Sequence, residues 1–506
     1  MTSFVEMMTE KDALTQNGAL TNSTSHNYCL DLFFLAGACR NVSDKDIELA
    51  ISKSYSFDPL KTRKIIFWAG DIRQGAGERR FFKLALNWLN KNHPDDIQNN
   101  IQNVPEFSRW DVIFDMAMEN EIVFSYILTI LADKSHRLHG LLCKWLPRKV
   151  VTRDVHKNTE EHTVKGYGYT KTSKSVSVSV KKRMLYNGLA AKIRERLNLS
   201  PKQYRKMLVE GTKVVEQQMC SKKWNEIDYS KVPSVAMNKY NKAWYRNDQE
   251  RFEQYLESVK KGESKMNASA IFPHDILGDA VGYNHVGELN EAQIVQWNSL
   301  PDWFNGQSSR MLPIVDTSGS MTWENNALAM RIALGLGLYI SERNEGAFKN
   351  AFITFSDDPK FFYISGNISE RCQQVIRQRI SGWTDIERVF HVILHKAIAN
   401  RLPQSEMPET ILIISDMEFN QGTTGTNTTH EVIEKMYMDA GYRCPRIIYW
   451  NVNGRPGNVP ITTNNYGAGL ISGASPSILK AVLTNKMNPI DIMNEVIESK
   501  RYDVVK

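Results

Sequence analysis

Residues 312–323 read LPIVDTSGSMTW. An apolar run stops at Asp316, and Ser318 and Ser320 follow at alternate positions around Gly319. Alternate residues of an extended segment share a face. Three oxygen-bearing side chains therefore leave the end of one buried strand in the same direction. Capping of a helix over NNALAMRIALGL (325–336) would account for Asp and Ser here without any ligand. Two further stretches argue for more. ISGWTDIERVF places Thr384 and Asp385 before a helix, and ETILIISDMEF ends a second apolar strand at Asp416, with Glu418 nearby.

Around these stretches the chain alternates strand and helix patterns. RMLPIVD, NAFITFS, KFFYI, ETILIISD and RIIYWNV read as strands. ALAMRIALGLGLYISER, SERCQQVIRQRI, DIERVFHVILHKAIANR, THEVIEKMYMDAG, SPSILKAVL and IDIMNEVIES read as helices. Apolar strands alternating with amphipathic helices predict a doubly wound parallel sheet covered on both faces. Ligands of such sheets collect at the carboxyl ends of the strands, where Asp316 and Asp416 stand. Oxygen donors without His or Cys select a hard cation, Mg²⁺ first and Ca²⁺ or Mn²⁺ after it.

Further out, the N-terminal half is helical. CLDLFFLAGAC, SDKDIELAISKSY with Ser43 as N-cap, DPLKTRKIIFWAGDI, RRFFKLALNWLNKN, FSRWDVIFDMAM and IVFSYILTILADKSHRL space apolar residues three and four apart. Short helices in succession need neighbours, which predicts a helical stack or solenoid. In 151–183 the period changes: Val176, Val178 and Val180 alternate with serines, and Gly166 and Gly168 suit a turn, so a hairpin or loop insert is expected. Residues 278–307 read as weakly structured. The expected division is a polar, loosely docked arm over 1–27, a helical domain over 28–307 with the 151–183 insert, and the α/β domain over 308–506.

The 506 residues predict two or three domains. No run of about 20 apolar residues suggests a spanning helix, and MTSFVEMMTEKDALTQNGAL does not look like a secretory signal. Six scattered cysteines without a CxxC pair are expected to be reduced thiols in a cytosol. The net charge is +7. Residues 308–506 hold 20 basic and 20 acidic residues and 1–307 hold 43 and 36, so the excess lies in the first part. An anionic partner would meet that part. The densest basic stretch, Lys144 to Lys206, contains Lys171, Lys174, Lys181, Lys182, Arg183 and Arg194, with Asp154, Glu160, Glu161 and Glu195 as its only acids. Tyr167, Tyr169, Tyr186 and Tyr204 are interleaved, a pattern suited to phosphates and unpaired bases, although a solvated basic surface has the same composition. RQGAGERR (73–80) reads as an interhelical turn at Gly75 and Gly77 with Glu78 opening the next helix; Arg73, Arg79 and Arg80 would line a pore or pair with acids, and Arg73 and Arg79 are candidate RNA contacts. His391 and His395 are i,i+4 on a helix and fit surface or core packing better than a metal site. No GxSxG, Walker, HExxH or Cys–His pattern appears, so no enzyme is expected.

Asp316-Thr317-Ser318-Gly319-Ser320, then Thr384, then Asp416 resembles the metal-ion-dependent adhesion site of von Willebrand factor A domains. The resemblance implies direct ligation by Ser318, Ser320 and Thr384, Asp316 and Asp416 direct or through water, and completion by a partner carboxylate. Trp383 and Met417 depart from the small residue and the glycine usual there. KIIFWAGDIRQGAGERRFFKLALNWL, FSRWDVIF, CKWLPRK, LNLSPKQYRKMLVEGTKVVEQQM, EIDYSKVPSVAMNKY and NASAIFPHDI resemble an uncharacterised family of plants, protists and viruses. That family joins a TROVE-like, HEAT-like helical-repeat region to a von Willebrand A domain, and it is distantly similar to the Ro ribonucleoprotein autoantigen. The resemblance implies an RNA-binding scaffold for single-stranded ends or structured small RNA, located in the cytoplasm or, if viral, in host cytoplasm or virion. The competing expectation is a protein-binding or structural assembly component without RNA.

Overall fold

The computed structural model describes residues 13–148, 159–166, 169–176, 178–212, 214–282, 287–304, 310–322, 327–354, 359–378, 385–420, 427–484, 486 and 488–506. The chain forms two compact units. One comprises residues 1–85 with 224–506, and the other 86–223.

The first unit is built on a six-stranded sheet. Its strands are β1 (Met311–Val315), β2 (Ala351–Thr354), β3 (Phe361–Tyr363), β4 (Thr410–Ser415), β5 (Arg446–Asn451) and β6 (Ala468–Ser472). Their order is β6-β5-β4-β1-β2-β3, all parallel except β3, which pairs antiparallel with β2. The order reverses between β1 and β4, the switch point where a doubly wound sheet opens a crevice. Every residue of β1, β4 and β6 is buried, as expected of strands covered on both faces. Pro313 stands inside β1 although proline lacks a ladder donor. The Asp316 N–H goes to Ile414 O at 3.0 Å, so by alternation the Pro313 nitrogen faces β2, where pairing begins only at Ile314.

Helices cover both faces, among them Leu328–Arg343, Ile386–Ala399 and Thr429–Asp439. The strand AGLIS (β6) has no counterpart in the expected set. It is short and glycine-bearing, with no period that marks it.

The helices that precede residue 307 belong to this unit as well as those that follow it. Helix α1 (Tyr28–Ala36) is apolar almost all round, which is the pattern of a buried helix. It docks against β6: Ser472 Oγ donates to Phe33 O at 2.7 Å and accepts from Gly37 N at 3.0 Å. Helix α2 (Asp44–Phe57) starts at the expected cap, Ser43, whose Oγ accepts from Asp46 N at 3.2 Å. Helix α3 (Pro59–Gly70) leads to the expected turn, with Gly77 at φ +71. The short helix Pro273–Leu277 lies on Leu328–Arg343 at Gly335, where a Cβ would come within 3.0 Å of His274 N. Residues 278–307 are more structured than expected. Glu291–Asn298 is a helix with a capping box between Asn290 and Gln293, and it buries Trp297.

The expected loose arm is tied down over its described part. Thr15 Oγ1 donates to Phe419 O at 2.6 Å, and Asn22 N donates to Val459 O at 3.1 Å. Compact packing thus groups residues 1–85 with 224–506 and sets 86–223 apart. Burial of α1 against β6 is the physical reason.

The second unit is helical apart from an antiparallel hairpin, Thr159–Gly166 with Tyr169–Val176. Val178 and Val180 belong to the helix Val178–Arg196, so the valine–serine alternation misleads there. Asn120 caps Glu121–Ala132, and Ser200 with Gln203 forms a capping box for Pro201–Gly211. Trp110, Phe114, Phe124, Ile127, Leu142, Leu189 and Leu208 are buried in this unit. Trp68 and Trp110 are core residues. All six cysteines are free, and Cys220 is exposed. Among the described residues no helix is long and apolar enough to cross a membrane.

Candidate metal centre

Strands β1 and β4 end side by side, and their next residues are Asp316 and Asp416. Asp316 is fully buried. Its Oδ1 accepts the Ser318 N–H at 2.9 Å, and its Oδ2 accepts the Ser415 hydroxyl at 2.6 Å. That pairing fixes the carboxylate and turns the chain so that Ser318 and Ser320 stand together, their Oγ atoms 3.0 Å apart. Ser415 closes β4 and carries no signal in the sequence, where it reads as an ordinary strand residue. Its Oγ also accepts Met417 N at 3.0 Å, so one hydroxyl links both strand ends.

Asp416 is 4% exposed. Burial raises its pKa first and the Asp316 carboxylate raises it further, while hydrogen bonds from Ser320 and from the Glu418 N–H oppose the shift. Two buried carboxylates side by side with two serine hydroxyls form a set of hard oxygen donors whose charge a divalent cation would offset. The nearby Glu418 is not part of the set. Its Oε1 accepts from Arg455 Nε at 2.7 Å and its Oε2 from Gln16 N at 2.6 Å. Among the described residues no group of three or more His, Cys, Asp or Glu is placed to hold a metal, so any ion here depends on the hydroxyls.

Met417 stands at φ +67 and is buried. This left-handed conformation costs a side-chain-bearing residue about 1–2 kcal/mol, which explains why glycine suits the position. The backbone bonds of Met417 hold it there: N to Ser415 Oγ, and O from Asn458 Nδ2 at 2.9 Å.

The site opens into a cavity of about 1010 Å³. Its walls come from Ser318, Ser320 and Asp416, from Gln16 and Asn17 of the arm, from Ser43 and Asp46 at the start of α2, and from the 453–456 loop.

The structure brings Asp316, Ser318, Ser320 and Asp416 together. Thr384 lies outside the described residues, and Asp385 is the N-cap of Ile386–Ala399, accepting from Arg388 N at 3.0 Å. The basic candidates are divided between the two units. Arg73 and Arg79 are exposed in the first unit, while Lys171, Lys174, Lys181, Lys182, Arg183 and Arg194 belong to the second. The side chains of Lys171, Lys174, Lys181, Lys182 and Arg183 lie outside the described residues. Arg194 is half-buried and donates to Ala190 O at 3.2 Å.

Several cations of the basic stretch have acidic partners: Lys144 with Glu216 at 3.2 Å, and Arg196 with Glu121 at 2.6 Å. Of the interleaved tyrosines, Tyr204 is a packing residue, contrary to the stacking expectation, and Tyr186 is half-buried. Tyr204 is buried and donates to Pro147 O at 3.2 Å, and Tyr186 meets Phe114 edge to face. Tyr167 and the Tyr169 side chain lie outside the described residues. His391 and His395 are both exposed.

The family described as "Domain of unknown function (DUF2828)" matches residues 15–182 and 127–321. "Domain of unknown function (DUF7788)" matches 310–504. An uncharacterized protein, L728, of Acanthamoeba polyphaga mimivirus is 27% identical over 513 residues, spanning 96% of this chain and 87% of that one. The crystal structure of the Deinococcus radiodurans Ro (RSR) protein aligns at 13% identity with a TM-score of 0.36, over 97% of this chain and 96% of that chain.

Proposed function

The chain belongs to the DUF2828 family, and we propose that it is a non-enzymatic scaffold with two separate grips. In the first unit a hard divalent cation, Mg²⁺ before Ca²⁺ or Mn²⁺, would sit over Asp316, Ser318, Ser320 and Asp416. It would take a carboxylate of a protein partner as a further ligand. The observation that carries this reading is the meeting of two buried carboxylates and two hydroxyls at the switch point, open to a large cavity. The ion would supply charge for the incoming carboxylate. The protein's own part is to hold Asp316 through Ser415 and the Ser318 N–H, and to keep the two hydroxyls facing each other.

The second grip is on RNA. Residues 86–223 contain 24 Lys and Arg against 14 Asp and Glu, a net +10, and the rest of the chain contains 39 against 42, a net −3. A charge excess confined to one unit favours a polyanion there. The resemblance to TROVE-like and Ro-like helical regions points the same way, to single-stranded ends or structured small RNA. A cytoplasmic place, or host cytoplasm or virion if viral, is part of this reading.

Isothermal titration of Mg²⁺ into the full-length protein tests the first grip. One saturating site that disappears in Asp316→Ala supports it, and absence of Mg²⁺, Ca²⁺ and Mn²⁺ binding to the wild type removes it.

A further inference from the structure

The cavity over Ser318, Ser320 and Asp416 is far larger than one carboxylate needs, and it shares lining residues with a second pocket of about 130 Å³. The two share Asp46, Arg455 and Pro456 as a common rim. Their linings differ. The first is dressed with side-chain amides, Gln16, Asn17, Asn41, Asn420 and Asn453, of which Asn17 Nδ2 donates to Glu418 O at 2.6 Å and Asn41 Nδ2 to Asn453 Oδ1 at 2.9 Å. The second is apolar on one wall, where α1 and α2 present Tyr28, Leu32, Leu35, Leu49 and Ala50. Tyr28 is 43% and Leu49 54% exposed, so this wall is an open apolar surface beside a polar cleft.

Charge narrows the class of occupant. Asp46, Asp416 and Glu418 line the first cavity, and its arginine, Arg455, already serves Glu418. A phosphate chain would meet the carboxylates of Asp46, Asp416 and Glu418. A peptide backbone would meet amides that match its own N–H and C=O groups.

We infer that the double cleft receives an extended peptide segment of a partner protein. The segment sets an aspartate or glutamate at the Asp316–Asp416 site and a large apolar side chain, a few residues away, in the Tyr28–Leu49 pocket. This rests on the metal reading above and adds to it the sequence character of the partner. The apolar subsite comes from α1 and α2, and the amide wall comes in part from the N-terminal arm. Peptide selectivity therefore resides in residues 16–50, while the docking charge resides near 316 and 416.

A phage-displayed random dodecapeptide library, panned on the full-length protein in Mg²⁺, tests the inference. The expected result is enrichment of peptides sharing one acidic and one large apolar residue at fixed spacing. Affinity of a synthetic copy should fall tenfold or more with EDTA or with Asp316→Ala. It should fall about tenfold in Leu49→Glu and Tyr28→Ala. Both residues are exposed enough for the fold to survive, and Mg²⁺ titration of these variants should match the wild type. Selected peptides that need Asp316 but ignore Leu49 and Tyr28 would overturn the inference and leave the metal reading standing. No enrichment while Mg²⁺ still binds would also overturn it. Mg²⁺-dependent self-association lost in Leu49→Glu, without enrichment, would overturn it by assigning the cleft to a second copy. Failure of the wild type to bind any divalent cation would remove the metal reading itself.

Discussion

Two regions of this molecule handle charge in opposite ways. Residues 86–223 carry a net +10, and the remainder a net −3 with two buried carboxylates, Asp316 and Asp416, side by side. A basic surface grips a polyanion through many weak, exchangeable contacts, and its strength falls with salt. A metal held by the buried pair of carboxylates would do the reverse, as one cation with few ligands in fixed geometry. The comparison teaches that the whole-chain excess of +7 understates both regions, and that ionic strength and chelation should separate them.

The sharpest break comes at Asp316. Asp316→Ala removes a carboxylate, the acceptor of the Ser318 N–H and the partner of Ser415 at once. Mg²⁺ affinity measured by calorimetry should drop at least about 100-fold, and RNA affinity should not change. Next, reversing Lys181, Lys182 and Arg183 to Glu should weaken RNA binding about 10- to 100-fold and flatten its salt dependence. Mg²⁺ binding should be unaffected, and parallel losses in both assays would merge the two grips into one.

Acid should act on the first region through His274. Burial pulls its imidazole down to about 4, helped by Arg40 and Arg331 and opposed by Asp275. The unfolded chain takes up this proton near pH 6.5 and the folded one only near 4. The stability His274 contributes is therefore present above pH 6.5 and lost as pH falls toward 4, by about 3 kcal/mol. Urea unfolding at pH 7 and pH 4.5 should show the loss, and His274→Leu should lessen it.

A smaller effect is expected at Arg455. Its removal leaves Glu418, 6% exposed, without its ion-pair partner. About 2 kcal/mol of destabilisation should follow, since the arginine is itself partly exposed. Amide exchange in 14–22 should rise, because Leu14 O also accepts from Arg455. Least of all, His391→Ala with His395→Ala should change the melting temperature by no more than an exposed surface pair does, within about 0.5 kcal/mol.

How much of this was legible in the sequence depends on the range of the interaction. Five of six strands were legible because their apolar runs end at charged or turn residues. Asp316, Ser318, Ser320 and Asp416 were legible because polar residues that follow a buried strand have few other duties. Ser415 was not, as its role appears only when β1 and β4 lie side by side. The arm and α2 could not be placed at the same cleft, since Gln16 and Glu418 stand 402 residues apart. Val178 and Val180 misled because a short alternating run is compatible with a helix whose packing outweighs its local period.

The central claim is that the two grips are independent, and RNA binding across a salt series tests it most directly. Wild type and Asp316→Ala would be compared in Mg²⁺ and in EDTA. Binding should weaken steeply with salt and be the same for both proteins once the ionic strengths are matched. Absence of binding at low salt, or binding lost with Asp316, would contradict the claim.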